Sequence, residues 1–515
     1  MSSTAPVEQS EHQWLEQVRG CVLRGDSGAA ESLLLNALEQ YPQSIELRRA
    51  LAGVFQRTRR NTQAETLLRE LLAYPPDDIV SAFLLARMLK DQGRMSAAAA
   101  VMRPCFERGQ HGANLAINAI ELLDDCDRKR DASAIAEAAL VAQPTDPRLH
   151  AYAGMLALQL GEFEYARQHN LFALEHSPQA CEWHVPLGLS SAQRYADAAH
   201  PDFARFDDCL RRSDLSPKAR STLLFAMGKA YDDIGEYAQA ADYFREANAV
   251  AHALTKWSRK SWRRTVQSQL ATKPIEQWVD PSPDFVPIFI VGMPRSGTTL
   301  VAEWLSRYHA VCNRGESPWL AKLANEPELS GAPGLAALQR AAKTYAAQLR
   351  QDDAEGARWF IDKQPLNFRY VGLALAMFPN ARIIDCQRNP RDTALSLWMQ
   401  SFTEDVQGYA YAFADIAAVM DDCERLMAHW RKARARSIRT LRYELLVAEP
   451  AATLAELAAW LELLPTDAST TAAESSTSIN TASLWQARQP VYTRSVQRWK
   501  NYAPYVVELL EFSAD

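Results

Sequence analysis

The sequence predicts an α-helical repeat solenoid followed by an α/β domain built on a mainly parallel sheet. Three observations point there. Small residues and prolines recur with a 34-residue period through the first half of the chain. The second half opens on PIFIVGMPRSGTTLVAEWL, Pro287 to Leu305, an apolar run that ends in a glycine-bounded loop. Between them, residues 271–286 hold three prolines and end the helical pattern. The expected division is a repeat domain over 10–270, a linker over 271–286 and an α/β domain over 287–515.

Composition narrows the class. A chain of 515 residues can form two or three domains with real cores. Its hydrophobic content of 48% and charged content of 23% are ordinary for a globular protein. The net charge of −6 gives no reason to expect a nucleic-acid partner. The eight cysteines are scattered, with no CxxC and no Cys/His cluster, which argues against a metal site and against a disulfide framework. A reducing, cytoplasmic location is the simplest expectation. The first residues are polar, and no run of about 18 apolar residues suggests a membrane span.

The repeats are read in register. Ala30, Ala64, Ala98, Ala132 and Ala166 share one slot of the 34-residue period. Pro42, Pro76, Pro144 and Pro178 share another, with Gln110 in the missing place. Gly25, Gly93 and Gly161 share a third. The alanine allows two helices to approach, the glycine ends the first helix of a pair, and the proline starts the next repeat. This pattern resembles tetratricopeptide repeats. It returns at Gly235 and Ala240, with the same offset of five. Gly161 to Gly235 is 74 residues, two periods plus six, so an insertion is expected within Ser190–Pro217. A curved array of this kind presents a groove for a protein or peptide, or serves as a scaffold for the second domain.

The loop at Pro287–Leu305 carries the chemistry. Ile288, Phe289, Ile290 and Val291 fit a buried parallel strand, and Leu300, Val301, Trp304 and Leu305 follow helical spacing. Strand, tight loop and helix aim N–H groups and a positive dipole end at an anion. The spacing of Gly292 and Gly297 approaches that of a Walker A loop, but Thr298 stands where an ATP or GTP site has lysine. The cation has moved inside the loop as Arg295. A guanidinium there suits a shorter phosphate chain without a γ-phosphate or its Mg²⁺.

PRSGTT after a strand is similar to the 5′-phosphosulfate loop of sulfotransferases, which use 3′-phosphoadenosine-5′-phosphosulfate (PAPS). The resemblance covers about the last 230 residues, and tyrosylprotein sulfotransferases and their repeat-bearing bacterial relatives supply the nearest pattern. It implies that Arg295, Ser296, Gly297, Thr298 and Thr299 hold the 5′-phosphosulfate. Glu316, after Arg314 and Gly315, stands where the tyrosylprotein enzymes have their catalytic base, with His309 as a competing base. Lys363, before Gln364 and Pro365, matches a lysine at a strand end that would neutralise the leaving phosphate. Arg388, after the strand Arg382–Cys386, and Ser396 on the next helix match the pair that binds the 3′-phosphate. Gln400 stands where the tyrosylprotein enzymes have a further arginine. Tyr443, at the end of a strand read over Ile438–Tyr443, is expected to contact the nucleotide. In the family a C-terminal segment closes over the cofactor, with Ser483 and Arg488 as its candidates here and Trp499 and Tyr502 as anchors.

The expected function is therefore transfer of the sulfuryl group of PAPS, without a metal, to an acceptor hydroxyl. Protein tyrosine is one candidate acceptor, with the repeats holding a protein or peptide. Two other readings compete. One is a P-loop kinase or NTPase, with Asp385 at a strand end as its acid. The other is a repeat scaffold with a degenerate transferase half. Since every candidate residue follows Pro287, a fragment starting near Lys273 is expected to bind PAPS by itself, unless the helix Thr255–Leu270 buries apolar surface on the sheet.

Overall fold

The computed structural model describes residues 9–73, 78–108, 111–271, 278–351, 353, 356–402, 405–463 and 495–513. Helices α1 (Glu11–Leu23) to α15 (Arg259–Ala271) run in sequence before the first strand. They include α9 (Pro147–Leu160), α10 (Phe163–His176), α11 (Val185–Ser191), α12 (Pro201–Leu210), α13 (Pro217–Asp233) and α14 (Tyr237–Leu254). The alanine slot behaves as its size requires: Ala30, Ala64, Ala98, Ala132 and Ala166 are all fully buried. The glycine slot has a wider meaning than its residue type. Gly25, Gly93 and Gly161 have φ of +78°, +77° and +83°, and the same slot is left-handed at Arg59 (+60°) and Asp127 (+56°). The turn between paired helices therefore keeps its geometry even where a side chain costs about 1–2 kcal/mol in that conformation.

The extra residues fall where expected. Between α11 and α12 the chain takes a long irregular path, residues 192–200, where regular repeats need only a tight turn. A disulfide, Cys181–Cys209, spans this irregular repeat with a Cα separation of 6.0 Å. This corrects the expectation of thiols alone, while the other six cysteines are free. The pair was hidden because residues 28 apart meet only through helix packing.

The second half forms one five-stranded parallel sheet of order β2-β3-β1-β4-β5. The strands are β1 (Val286–Gly292), β2 (Val311–Asn313), β3 (Trp359–Asp362), β4 (Arg382–Gln387) and β5 (Ile438–Arg442). Four match the apolar runs read from sequence. The fifth, β2, is a three-residue edge strand inside a stretch that reads as a loop. Helices cover both faces, as a parallel sheet requires. Ile288, Ile290, Ile361 and Ile384 pack on one face against α16 (Thr298–Leu305), α22 (Tyr443–Ala448) and α23 (Pro450–Trp460). Phe289, Val291, Phe360 and Ile383 pack on the other against α18 (Leu335–Leu349), α19 (Val371–Met377) and α21 (Phe413–Ala433).

The second face does not stop at the sheet's own helices. Phe225 on α13, Phe244 on α14, and Trp262 and Val266 on α15 join the same buried cluster. The chain accordingly divides into compact units at Leu149/His150, with the last repeat helices and the sheet in one unit. Among the described residues, no helix is long and apolar enough to cross a membrane.

Candidate active site

In a parallel sheet the loops after every strand leave one edge, and here the candidate residues gather at that edge. The loop after β1 is shaped by three left-handed residues: Gly292 (φ +133°), Arg295 (+73°) and Gly297 (+93°). Any Cβ on Gly292 would lie 2.3 Å from the Cys386 carbonyl oxygen of β4. One on Gly297 would lie 2.6 Å from the Tyr443 ring. Glycine is thus required twice, by conformation and by close approach. Ser296 closes the turn by donating its hydroxyl to the Met293 carbonyl at 2.7 Å. Gly297 caps α16 without any side-chain bond, so the first N–H groups of that helix face the loop. Thr298 and Thr299 are buried in its first turn.

Two arginines and a serine converge on this loop. Arg295 Nε donates to Ser396 Oγ at 3.0 Å. Ser396 lies on α20 (Pro390–Trp398), the helix after β4. Arg388, between β4 and α20, donates through one terminal nitrogen to the Arg295 carbonyl at 2.9 Å. Its other terminal nitrogen donates to the Ser495 carbonyl at 2.6 Å. Its guanidinium lies 4.8 Å from the centre of the Tyr443 ring. Burial lowers the Arg388 pKa, against the opposing effect of Asp392, Tyr443 and Glu444. Arg388 and Ser396 are therefore linked through Arg295 rather than bonded to each other. Tyr443 opens α22 instead of ending β5, and its ring walls the loop.

The second group sits on the loops after β2 and β3. Lys363 Nζ lies 2.5 Å from Glu316 Oε1, and the two side chains are 4% and 28% exposed. The charges differ in access: the ammonium is sealed and the carboxylate is open on one side. Local bonds set this register. The Lys363 N–H donates to the Gly315 carbonyl at 2.8 Å, and the Arg314 N–H to the Ile361 carbonyl at 2.9 Å. Gly315 is left-handed (φ +59°), and its N–H is held by Asn313 Oδ1 at 3.0 Å. His309 is exposed and precedes β2, so it lies at the opposite edge of the sheet from these loops. Ser483 and Arg488 lie outside the described residues.

Three buried acids lie near the strand ends, and two of them, Asp362 and Asp392, support the site with little sequence signal. Asp362, just before Lys363, is fully buried and accepts from the Tyr345 hydroxyl at 2.6 Å and from Asn367 Nδ2 at 3.3 Å. Burial pushes its pKa up to about 7. Asp385 bonds Arg431 at 2.9 Å on the α21 face, and burial still raises its pKa to about 6. That contact makes Asp385 a partner of α21 and not an acid of the loop. Asp392, in the first turn of α20, accepts from the Gln497 N–H at 2.7 Å and the Trp499 N–H at 2.9 Å. Asn389, Pro390 and Asp392 read as an ordinary helix start, so only the fold reveals this grip.

The raised carboxyls have a measurable consequence. A buried acid with a raised pKa takes up protons on folding, so its contribution is present below the ordinary carboxylate range and is lost as pH rises through the folded value. The urea midpoint is expected to fall from about pH 4, the ordinary carboxylate value, to about pH 7, ending near 6 for Asp385 and near 7 for Asp362. Asp362→Asn, which keeps an acceptor for Tyr345, should flatten that decline. An identical pH slope in the variant would exclude Asp362 as its source.

The fold is an α/β domain that follows the helical repeats in the chain and carries a glycine-bounded strand–loop–helix at its strand ends. Residues 287–467 match the sulfotransferase family, and residues 22–88 match the tetratricopeptide repeat. The chain thus carries tetratricopeptide repeats followed by a sulfotransferase-family domain with a parallel sheet. It is 30% identical over 326 residues to an uncharacterized protein of Aquifex aeolicus (strain VF5), covering 59% of this chain and 43% of that one. The chain therefore spans less than half the length of the curated relative it matches. Among solved structures, the sulfotransferase domain of the Synechococcus PCC 7002 olefin synthase is 20% identical, covering 46% of this chain and 98% of that one, with a TM-score of 0.34. Sulfotransferase STF9 from Mycobacterium avium is 14% identical, covering 60% and 96%, with a TM-score of 0.28. A tetratricopeptide repeat protein from Parabacteroides merdae ATCC 43184 is 14% identical, covering 49% and 96%, with a TM-score of 0.29.

The residues present fit an anionic group beside the loop. Arg388 Nε is buried without a hydrogen-bond partner among the described residues, beside the loop N–H groups and Arg295. A buried cationic donor left open is costly unless an anion completes it. Among the described residues, no group of three or more His, Cys, Asp or Glu side chains converges as metal ligands.

Proposed function

We propose that this protein transfers the sulfuryl group of PAPS to an acceptor hydroxyl. The loop N–H groups, Arg295 and the start of α16, with Thr298 and Thr299, hold the 5′-phosphosulfate. Arg388 and Ser396 hold the 3′-phosphate, and Tyr443 walls the nucleotide. Glu316 accepts the acceptor's proton as its oxygen bonds to sulfur. The sulfur–oxygen bond to the 5′-phosphate breaks, and Lys363 balances the charge left on that phosphate. The 3′-phosphoadenosine-5′-phosphate product leaves. The Glu316–Lys363 pair, at 2.5 Å, suits both roles, because one lysine can serve the carboxylate or the leaving phosphate. Glu316 is favoured over His309 as base because the histidine sits at the far edge of the sheet. A protein or peptide acceptor, tyrosine included, belongs to this proposal, and the repeats favour such an acceptor; so does a cytoplasmic setting, against which the Cys181–Cys209 disulfide weighs.

The observation that carries the reading is the buried Nε of Arg388, unpaired among the described residues, beside a glycine-bounded loop that lacks the nucleotide-triphosphate lysine. The test is calorimetry with 3′-phosphoadenosine-5′-phosphate, PAPS and ATP. Tight binding of the first two and weak binding of ATP is expected, since ATP lacks the 3′-phosphate. Equal affinity for ATP would favour an NTPase or kinase, although Asp385 is already engaged by Arg431. Tight nucleotide binding without turnover on any acceptor would favour a scaffold.

A further inference from the structure

We propose that Asp232, on the repeat helix α13, is a positioning residue for Arg388, acting through the C-terminal strap of residues 495–502. The inference rests on the reading of Arg388 as a 3′-phosphate ligand and adds a part for the repeats in nucleotide recognition.

The strap is held from two sides. On the sheet side, Arg388 donates to the Ser495 carbonyl at 2.6 Å, and Asp392 takes the Gln497 and Trp499 N–H groups at 2.7 and 2.9 Å. The Arg391 guanidinium lies 4.5 Å from the centre of the Trp499 ring. Between those anchors the backbone bends through Gln497 in the left-handed region, at φ +62°. A non-glycine residue there needs its surroundings to hold it. On the repeat side, Asp232 receives both the Arg498 guanidinium and the Tyr502 hydroxyl, the latter at 2.6 Å. Asp232 is only 10% exposed in its side chain, and Tyr502 is fully buried. The Arg245 guanidinium on α14 adds a bond to the Tyr505 carbonyl at 3.0 Å.

The geometry makes the effect specific. The two terminal nitrogens of Arg388 donate to the Arg295 carbonyl and the Ser495 carbonyl, so those contacts fix the plane of the guanidinium and leave the buried Nε unpaired among the described residues. The Ser495 carbonyl is in place only while the strap is. Asp232 bonds the strap three and seven residues further on, at Arg498 and Tyr502. Releasing that hold frees the guanidinium to turn. A 3′-phosphate, which depends on the direction of Arg388, loses affinity. The 5′-phosphate, held by loop N–H groups, does not.

The experiment compares the full chain with Asp232→Asn and Asp232→Ala, by calorimetry with 3′-phosphoadenosine-5′-phosphate and with AMP, which lacks the 3′-phosphate. Asp232→Asn keeps an acceptor for Tyr502 and loses the charge that holds Arg498, so it is the variant least disposed to unfold. Its affinity for the 3′-phosphorylated nucleotide should fall about tenfold, as for one lost charge-assisted hydrogen bond. Its affinity for AMP should stay within about twofold, since the loop N–H groups are held in place by Gly292, Gly297 and the Ser296–Met293 bond rather than by Asp232. Asp232→Glu should recover part of the loss. Equal losses for both nucleotides, or no loss for either, would overturn the proposal while leaving the Arg388 site standing. A wild-type protein that does not distinguish the two nucleotides would overturn the 3′-phosphate site and this proposal with it.

Discussion

Glu316→Gln is expected to slow sulfuryl transfer by about 10²-fold or more while leaving nucleotide affinity unchanged. The amide keeps the size of the carboxylate and one oxygen for Lys363, which sits 2.5 Å away. It cannot take a proton from an acceptor hydroxyl. The nucleotide contacts lie elsewhere on the edge, at Arg295, Ser396 and Arg388, so binding should not follow the rate. One complication needs a control. Lys363 is sealed from solvent, and removing its counter-charge leaves a buried ammonium partly compensated. A melting curve therefore accompanies the kinetics. A single-turnover rate equal to wild type would remove Glu316 from the chemistry. A slow variant with normal melting and normal 3′-phosphoadenosine-5′-phosphate affinity is the expected result.

A fragment of residues 278–515 is expected not to fold, whereas residues 150–515 should fold and bind nucleotide. This reverses the simplest expectation from sequence, in which the α/β half stands alone from about Lys273. Phe225, Phe244, Trp262 and Val266 of the last repeat helices are nearly or fully buried in the same cluster as the sheet's Phe289 and Phe360. Each such side chain is worth about 1.5–3 kcal/mol on burial. Losing several of them takes away an amount of the order of the whole stability of a domain, about 5–15 kcal/mol. Polar ties are lost as well. Asn248 donates to the Trp398 carbonyl at 2.8 Å in a buried place, and Trp262 Nε1 to Asp422 at 3.2 Å. Far-UV and near-UV circular dichroism of both fragments decides the matter. A cooperative thermal transition in 278–515, at a temperature near that of 150–515, would show that the repeat helices are accessory.

The legible part of this protein was local. The helix pairs, four of five strands and the glycine-bounded loop follow from patterns within about 20 residues, where steric preference and hydrophobic period act directly, and the alanine slot from the 34-residue repeat. Even so, local signal depends on residue type. The left-handed turns at Arg59 and Asp127 were not readable, since no glycine marks them. Strand β2 escaped because three residues at a sheet edge show no period.

Helical repeats before a parallel α/β domain are legible in the sequence alone, as are Arg295, Lys363 and Arg388 in turns after strands, Ser396 on the helix after Arg388, and Glu316 in a loop. Glycine conformations and apolar periods are properties of the nearby chain, so they survive without the fold. Only the tertiary structure decided which of these residues meet. Glu316 finds Lys363 across 47 residues, Arg295 finds Ser396 across 101, and Asp232 finds Arg498 across 266. It also decided that the last repeats belong with the sheet, and that Asp385 answers to Arg431 and not to the loop. The physical reason is the same in each case. Pairing and burial depend on how elements pack, and the sheet brings the ends of β1, β3 and β4 side by side while the repeat helices close one of its faces.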